Sequence, residues 1–147
     1  MAATAKKPKL RNMPFLVKTW RVVDGDTVEA VLDYGKKLYH TQSIRLAGVD
    51  APEVHGSTGA LGHTVATAVR GWLGKHEPLV LMSESWDEKY GRLVGDFCQW
   101  DFVLGEFVKT EWLTDYLLTA KLVRPYRGEK RQAWTEEELA PIRAFKS

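Results

Sequence analysis

The chain has 147 residues and a mass of 16.7 kDa, the length of one domain rather than two. With 44% hydrophobic and 27% charged residues, its composition excludes a largely disordered chain, a collagen-like chain and a coiled coil. A single cysteine, Cys98, rules out an intramolecular disulfide, and no apolar run approaches the roughly 20 residues that span a bilayer.

Residues 1–14 read as a basic N-terminal arm, with Pro8 and Pro14 opposing helix, and residues 15–147 as the folded domain. Phe15–Val23 is rich in Val, Phe and Trp and is followed by the turn signal Asp24-Gly25. Thr27–Leu32 alternates like a half-buried strand, Asp33-Tyr34-Gly35 reads as a turn, and Leu38–Ala47 predicts a third strand. Over 58–74 the period changes: Leu61, Val65, Ala68, Val69 and Trp72 recur at helical spacing, with Gly74 as the expected stop. Leu79–Ser83 and Leu93–Cys98 predict two more strands around the polar segment Ser85–Arg92. A second helix is expected over Gly105–Thr119. A third is expected over Thr135–Phe145, where Thr135 and Glu138 form a capping box and Pro141 is expected to break or shorten the helix. Cys98 is expected to be a buried structural thiol. The four histidines are expected on the surface or in loops, and Glu136–Glu138 at a solvated helix start. Five strands and three helices describe an α+β domain, for which a small closed barrel removes the sheet edges.

The net charge of +2 conceals an asymmetry. Residues 1–21 carry six basic groups and no acid, leaving 15 basic against 19 acidic groups in the remainder. A basic arm on a mildly acidic body suits a polyanion partner, and equally a solvated tail that aids solubility. No apolar h-region follows the basic start, so the expected location is cytoplasmic, without membrane contact.

Three segments could carry chemistry: Asp24-Gly25-Asp26-Thr27, Arg45 to Glu53 (RLAGVDAPE), and Lys89-Tyr90-Gly91-Arg92. Each also has a plain structural reading. The first is a hairpin turn with a solvated Asp26. The second is a helix start with Asp50 as N-cap and Pro52 at N1. The third is a turn with a surface arginine. Together they hold the parts for cutting a phosphodiester. Asp26 and Asp50 offer hard oxygens for Ca²⁺ or Mg²⁺, whereas His40, His55, His63 and His76 are too scattered for a zinc site. Glu53 could take a proton from an attacking water. Arg45 and Arg92 could fork onto phosphate oxygens where transition-state charge gathers.

In this order and at these separations, the three segments resemble the staphylococcal nuclease (thermonuclease) family over roughly residues 15–134. The resemblance implies an OB-fold, a five-stranded barrel with three helices. It also implies Ca²⁺-dependent hydrolysis of DNA or RNA to 3′-phosphate ends by a monomer holding one ion. Carried over by motif, Asp26, Asp50 and the Ala51 carbonyl would hold the metal. Glu53 would act as general base, and Arg45 with Arg92 would clamp the scissile phosphate. Lys89 and Tyr90 would bind a terminal phosphate, and Tyr126 would line a base pocket. This chain departs from the family in three respects: Arg124 and Pro125 stand where a second pocket aromatic is expected, the Val54–Gly59 stretch is shorter than the family's lysine-rich loop, and the N-terminus lacks an export signal. The last suggests an intracellular or phage-encoded relative. Nuclease-like barrels also serve as non-catalytic modules binding nucleic acid or protein. A third reading is a single-strand binder that stacks bases on its six tryptophans.

Overall fold

The structure is a computed structural model that describes residues 13–146, and the side chains of all of these except 107–110. The basic arm, with Lys6, Lys7, Lys9 and Arg11, lies outside the described residues apart from its last two positions. Those two, Met13 and Pro14, already belong to the first strand and pair with Ser83 and Met82.

Five strands close into a barrel: β1 (Met13–Asp24), β2 (Thr27–Asp33), β3 (Tyr39–Leu46), β5 (Leu79–Asp87) and β6 (Arg92–Asp101). Antiparallel pairings run β3–β2–β1–β5–β6, and a parallel pairing of β3 with β6 closes the ring, with Arg45 level with Val94. This is the closed α+β barrel that the pattern of short alternating strands suggests, and it is OB-fold-like, as the family resemblance implies. The alternation is plain in β2, where Val28, Ala30 and Leu32 are fully buried and Glu29, Val31 and Asp33 are half-buried. Burial extends along these strands and under α1 (Gly59–Lys75), whose Val65, Ala66, Val69, Trp72 and Leu73 seal one end of the barrel. The helix runs one residue beyond Gly74, and His76 caps it.

Two helices differ from expectation. Residues 106–112 form a strand, β7 (Glu106–Trp112), and the helix α2 covers only Leu113–Thr119. The reason is local. Asp101 Oδ1 accepts from the amides of Val103 and Leu104, and Gly105 takes a positive φ of 68°. A tight turn results that sends β7 back along β6. The third helix, α3 (Glu136–Ala144), has the expected capping box, but Pro141 neither breaks nor shortens it. The bond forfeited is to the carbonyl of Glu137, an exposed residue.

A two-residue ribbon completes the fold. β4 (Val49–Asp50) pairs with β8 (Arg124–Pro125), so Asp50 lies directly opposite Arg124. The segment Asp50–Glu53 is thus a strand end followed by a loop, not a helix start; α1 begins only at Gly59, after a 3₁₀ turn over Gly56–Thr58. Of the histidines, His40, His55 and His63 are exposed. His76 differs: it stacks on Trp72 at 3.9 Å, and Nε2 lies 2.8 Å from Glu111. Cys98 is buried in β6, and burial pushes its thiol up to about 12. No described helix is long and apolar enough to cross a membrane.

Candidate active-site cleft

The parallel closure is what brings distant residues together. Because Arg45 on β3 aligns with Val94 on β6, Arg92, two residues earlier, projects on the same side as Arg45. The β1–β2 turn, Gly25-Asp26, lies beside this same end of β3, where the Leu46 amide donates to the Asp26 carbonyl at 2.8 Å. The β4–β8 ribbon and the chain beyond it form the opposite wall. The result is a cleft of about 1240 Å³. Eight of the nine predicted site residues line it: Asp26, Arg45, Ala51, Glu53, Lys89, Tyr90, Arg92 and Tyr126. The ninth, Asp50, is only 1% exposed and lies behind the wall, facing Arg45.

Two glycines allow this packing. A Cβ on Gly25 would stand 2.5 Å from Val65 Cγ1 and 2.9 Å from the Ala51 Cβ. One on Gly62 would stand 2.2 Å from the Glu53 carbonyl oxygen. Helix α1 can therefore rest directly under the Asp26 turn and the Glu53 loop only where side chains are absent.

The carboxylates are not solvated. Asp26 is 6% exposed; Oδ2 accepts from the Ala51 amide at 3.0 Å, and Oδ1 from the Thr27 hydroxyl. Arg45, 7% exposed, lies between the two acids, with Nη1 3.6 Å from Asp26 and Nη2 3.8 Å from Asp50. Both carboxylates thus converge on one guanidinium. Arg45 Nη2, Arg92 Nε and Asp50 Oδ1 are buried without a hydrogen-bond partner. Such groups are costly unless the site uses them. Two are unspent cationic donors and one is an unspent anionic acceptor. Arg92 is half-buried, paired with Asp87 at 3.2 Å and lying over the Tyr90 ring at 4.8 Å. Lys89 also lies over that ring, at 5.2 Å. Tyr126 is fixed by its amide donating to the Gly48 carbonyl, and Arg45 lies 5.6 Å from its ring.

Sequence reasoning missed three members. Arg124 Nε and Nη2 donate to Asp50 Oδ2 at 3.1 and 3.0 Å, Nη1 donates to Glu138 at 3.0 Å, and the guanidinium covers the Trp134 ring. Glu138 is therefore half-buried rather than solvated; the Thr135 amide and the Arg124 charge hold its carboxyl below the usual range. Arg131 bridges Asp50 and Glu53 at 3.5 Å each. Burial opposes its charge, but Asp50, Asp26, Tyr126 and Glu53 outweigh that and hold it more firmly protonated than usual. Asp87 is the third. The sequence signal for the arginines was the density of basic residues around Tyr126: Arg124, Arg127, Lys130 and Arg131.

Asp26 and Asp50 carry hard oxygens of the kind that a divalent cation takes. Asp50 Oδ1 is buried with only cations opposite it, and Asp26 faces the same guanidinium. Among the described residues no three His, Cys, Asp or Glu side chains group at metal-ligand separation. An ion here would rest on Asp26 and Asp50, with backbone oxygen such as the Ala51 carbonyl and water completing the shell. No protein-family model matches the chain, and no curated protein matches it significantly.

Proposed function

We propose that this protein is a metal-dependent phosphodiesterase of the staphylococcal nuclease kind, cutting DNA or RNA with Ca²⁺ and leaving 3′-phosphate ends. The observation that carries the reading is the cleft itself. Charged residues from four separate stretches of chain face one cavity, and two of its arginines keep buried N–H groups without an acceptor. A phosphodiester brings the missing acceptors. Arg45 Nη2 and Arg92 Nε would donate to its non-bridging oxygens, more strongly as charge builds there. Glu53 is exposed at the cleft mouth and would accept a proton at its carboxylate from the attacking water. Lys89 and Tyr90, on the exposed turn between β5 and β6, would hold a neighbouring phosphate, and the Tyr126 ring would lie against a base. Asp26 and Asp50 would hold the Ca²⁺, which when bound supplies Lewis-acid polarisation of a phosphate oxygen.

One observation favours a second reading, a non-catalytic nucleic-acid-binding module: Asp50 is already matched by three guanidinium groups. One experiment separates the two. Purified protein is incubated with labelled DNA and RNA in Ca²⁺ or chelator, and product ends are analysed. Ca²⁺-dependent cleavage with 3′-phosphate ends supports the nuclease. Binding without cleavage in every condition overturns it.

A further inference from the structure

The two arginines that reach Asp50 from the C-terminal segment differ in kind. Arg124 is held on all sides: two donors on Asp50 Oδ2, one on Glu138, one on the Gln132 carbonyl at 2.6 Å, and an indole against its face. It fixes one oxygen of Asp50 and leaves the other, Oδ1, turned toward Arg45 and Arg131. Arg131 is held mainly by charge. It lies 3.5 Å from Asp50 Oδ1 and 3.5 Å from Glu53 Oε1, at the edge of hydrogen bonding, and its side chain is 44% exposed. The pair with Glu53 is solvent-open on both sides and weak, and the pair with the buried Asp50 is long and open to solvent on the Arg131 side. Its long stem also lets the head move into water at small cost.

We propose that Arg131 is a resident counter-ion of the cleft that competes with a divalent cation for Asp50 Oδ1 and Glu53, and so sets how readily the site loads. The inference rests on the nuclease reading above. The charge balance supports it. Asp26, Asp50, Glu53 and Glu138 bring four negative charges, and Arg45, Arg124 and Arg131 bring three positive ones. A divalent ion entering that set turns its single excess negative charge into an excess of positive charge unless one guanidinium withdraws. Arg45 is buried, Arg124 is half-buried and held by its hydrogen bonds, and Arg131 is the most open of the three to solvent. The exchange puts a small doubly charged ion on an oxygen that no hydrogen bond satisfies. It costs the two long pairs of Arg131, to Asp50 and Glu53.

The test is Ca²⁺ titration of the full chain by isothermal calorimetry, without nucleic acid, comparing the parent with Arg131→Gln. Arg131 is exposed, so the variant folds, and a thermal melt in chelator checks this. Removing a like charge next to the ion should tighten Ca²⁺ binding about tenfold or more, less at high salt. Asp26→Asn should weaken binding in both backgrounds. If it leaves the binding heat unchanged, the ion sits elsewhere and the proposal falls. Equal or weaker affinity in Arg131→Gln overturns the role of Arg131 and leaves the nuclease reading intact. Absence of Ca²⁺ binding in either protein overturns both.

Discussion

Replacing Arg124 by methionine removes the guanidinium and keeps most of the stem, which isolates its polar role. Asp50 is 1% exposed and loses two charge-assisted hydrogen bonds of 3.0 and 3.1 Å. Removing one partner of a buried ion pair costs about 3–5 kcal/mol, because the other charge stays buried. Arg45 and Arg131 remain at 3.8 and 3.5 Å, which places the loss at the low end, about 3 kcal/mol. The exposed side of the contact, to Glu138, adds about 0.5 kcal/mol or less. For a domain of this length the melting temperature should fall by about 6–12 °C. Urea denaturation should show a lower midpoint at unchanged slope. Asp50→Asn removes the stranded charge. The double variant should therefore be more stable than the sum of the two single losses predicts, by about 1 kcal/mol or more. A loss below about 1 kcal/mol in Arg124→Met, or strict additivity in the double variant, would refute the buried-pair account.

Other perturbations test the cleft and its support. Arg45→Ala should cut the cleavage rate by about 10²–10³, as measured in single-turnover digestion with saturating Ca²⁺; near-parent turnover would remove Arg45 from the machinery. Gly62→Ala forces a Cβ to within 2.2 Å of the Glu53 carbonyl. It should cost about 1–3 kcal/mol in urea unfolding and lower cleavage by displacing the Glu53 loop. Asp96 tests pH dependence. Burial raises its carboxyl to about 7 from 3.8, despite hydrogen bonds from Thr114 and Phe97 that pull it down. The native state therefore holds this proton where the unfolded chain has released it. Stability should fall as pH rises from about 4 to about 7 and level off above. Asp96→Asn should flatten that fall relative to the parent, and parallel midpoint–pH curves for the two proteins would contradict the assignment.

The barrel was legible because its strands alternate cleanly and are punctuated by turn residues, as in Thr27–Leu32 after Asp24-Gly25. β7 was not. Glu106–Trp112 mixes apolar and polar residues in a way that fits either period, and only its pairing with β6 decides it. Pro141 misled because a rule about lost hydrogen bonds says nothing of helices anchored by packing; Leu139 and Ile142 on either side are buried. At the site, charged residues named from short motifs lie together because the parallel β3–β6 pairing joins their strands. The ion-pair partners were not legible. Arg124, Arg131 and Asp87 belong to no short motif. Arg124 and Arg131 reach Asp50 across more than 70 positions, through a two-residue ribbon that leaves almost no local pattern.

That ribbon has a consequence for how the protein is made. Asp50 and Arg45 emerge from the ribosome early, while Arg124 and Arg131, the other two guanidinium groups around that acid, follow much later. Until then the buried acid has Arg45 alone opposite it. The charge set around Asp50 is complete only once the ribbon strand β8 and the segment after it have docked, so a nascent or C-terminally clipped copy lacks it.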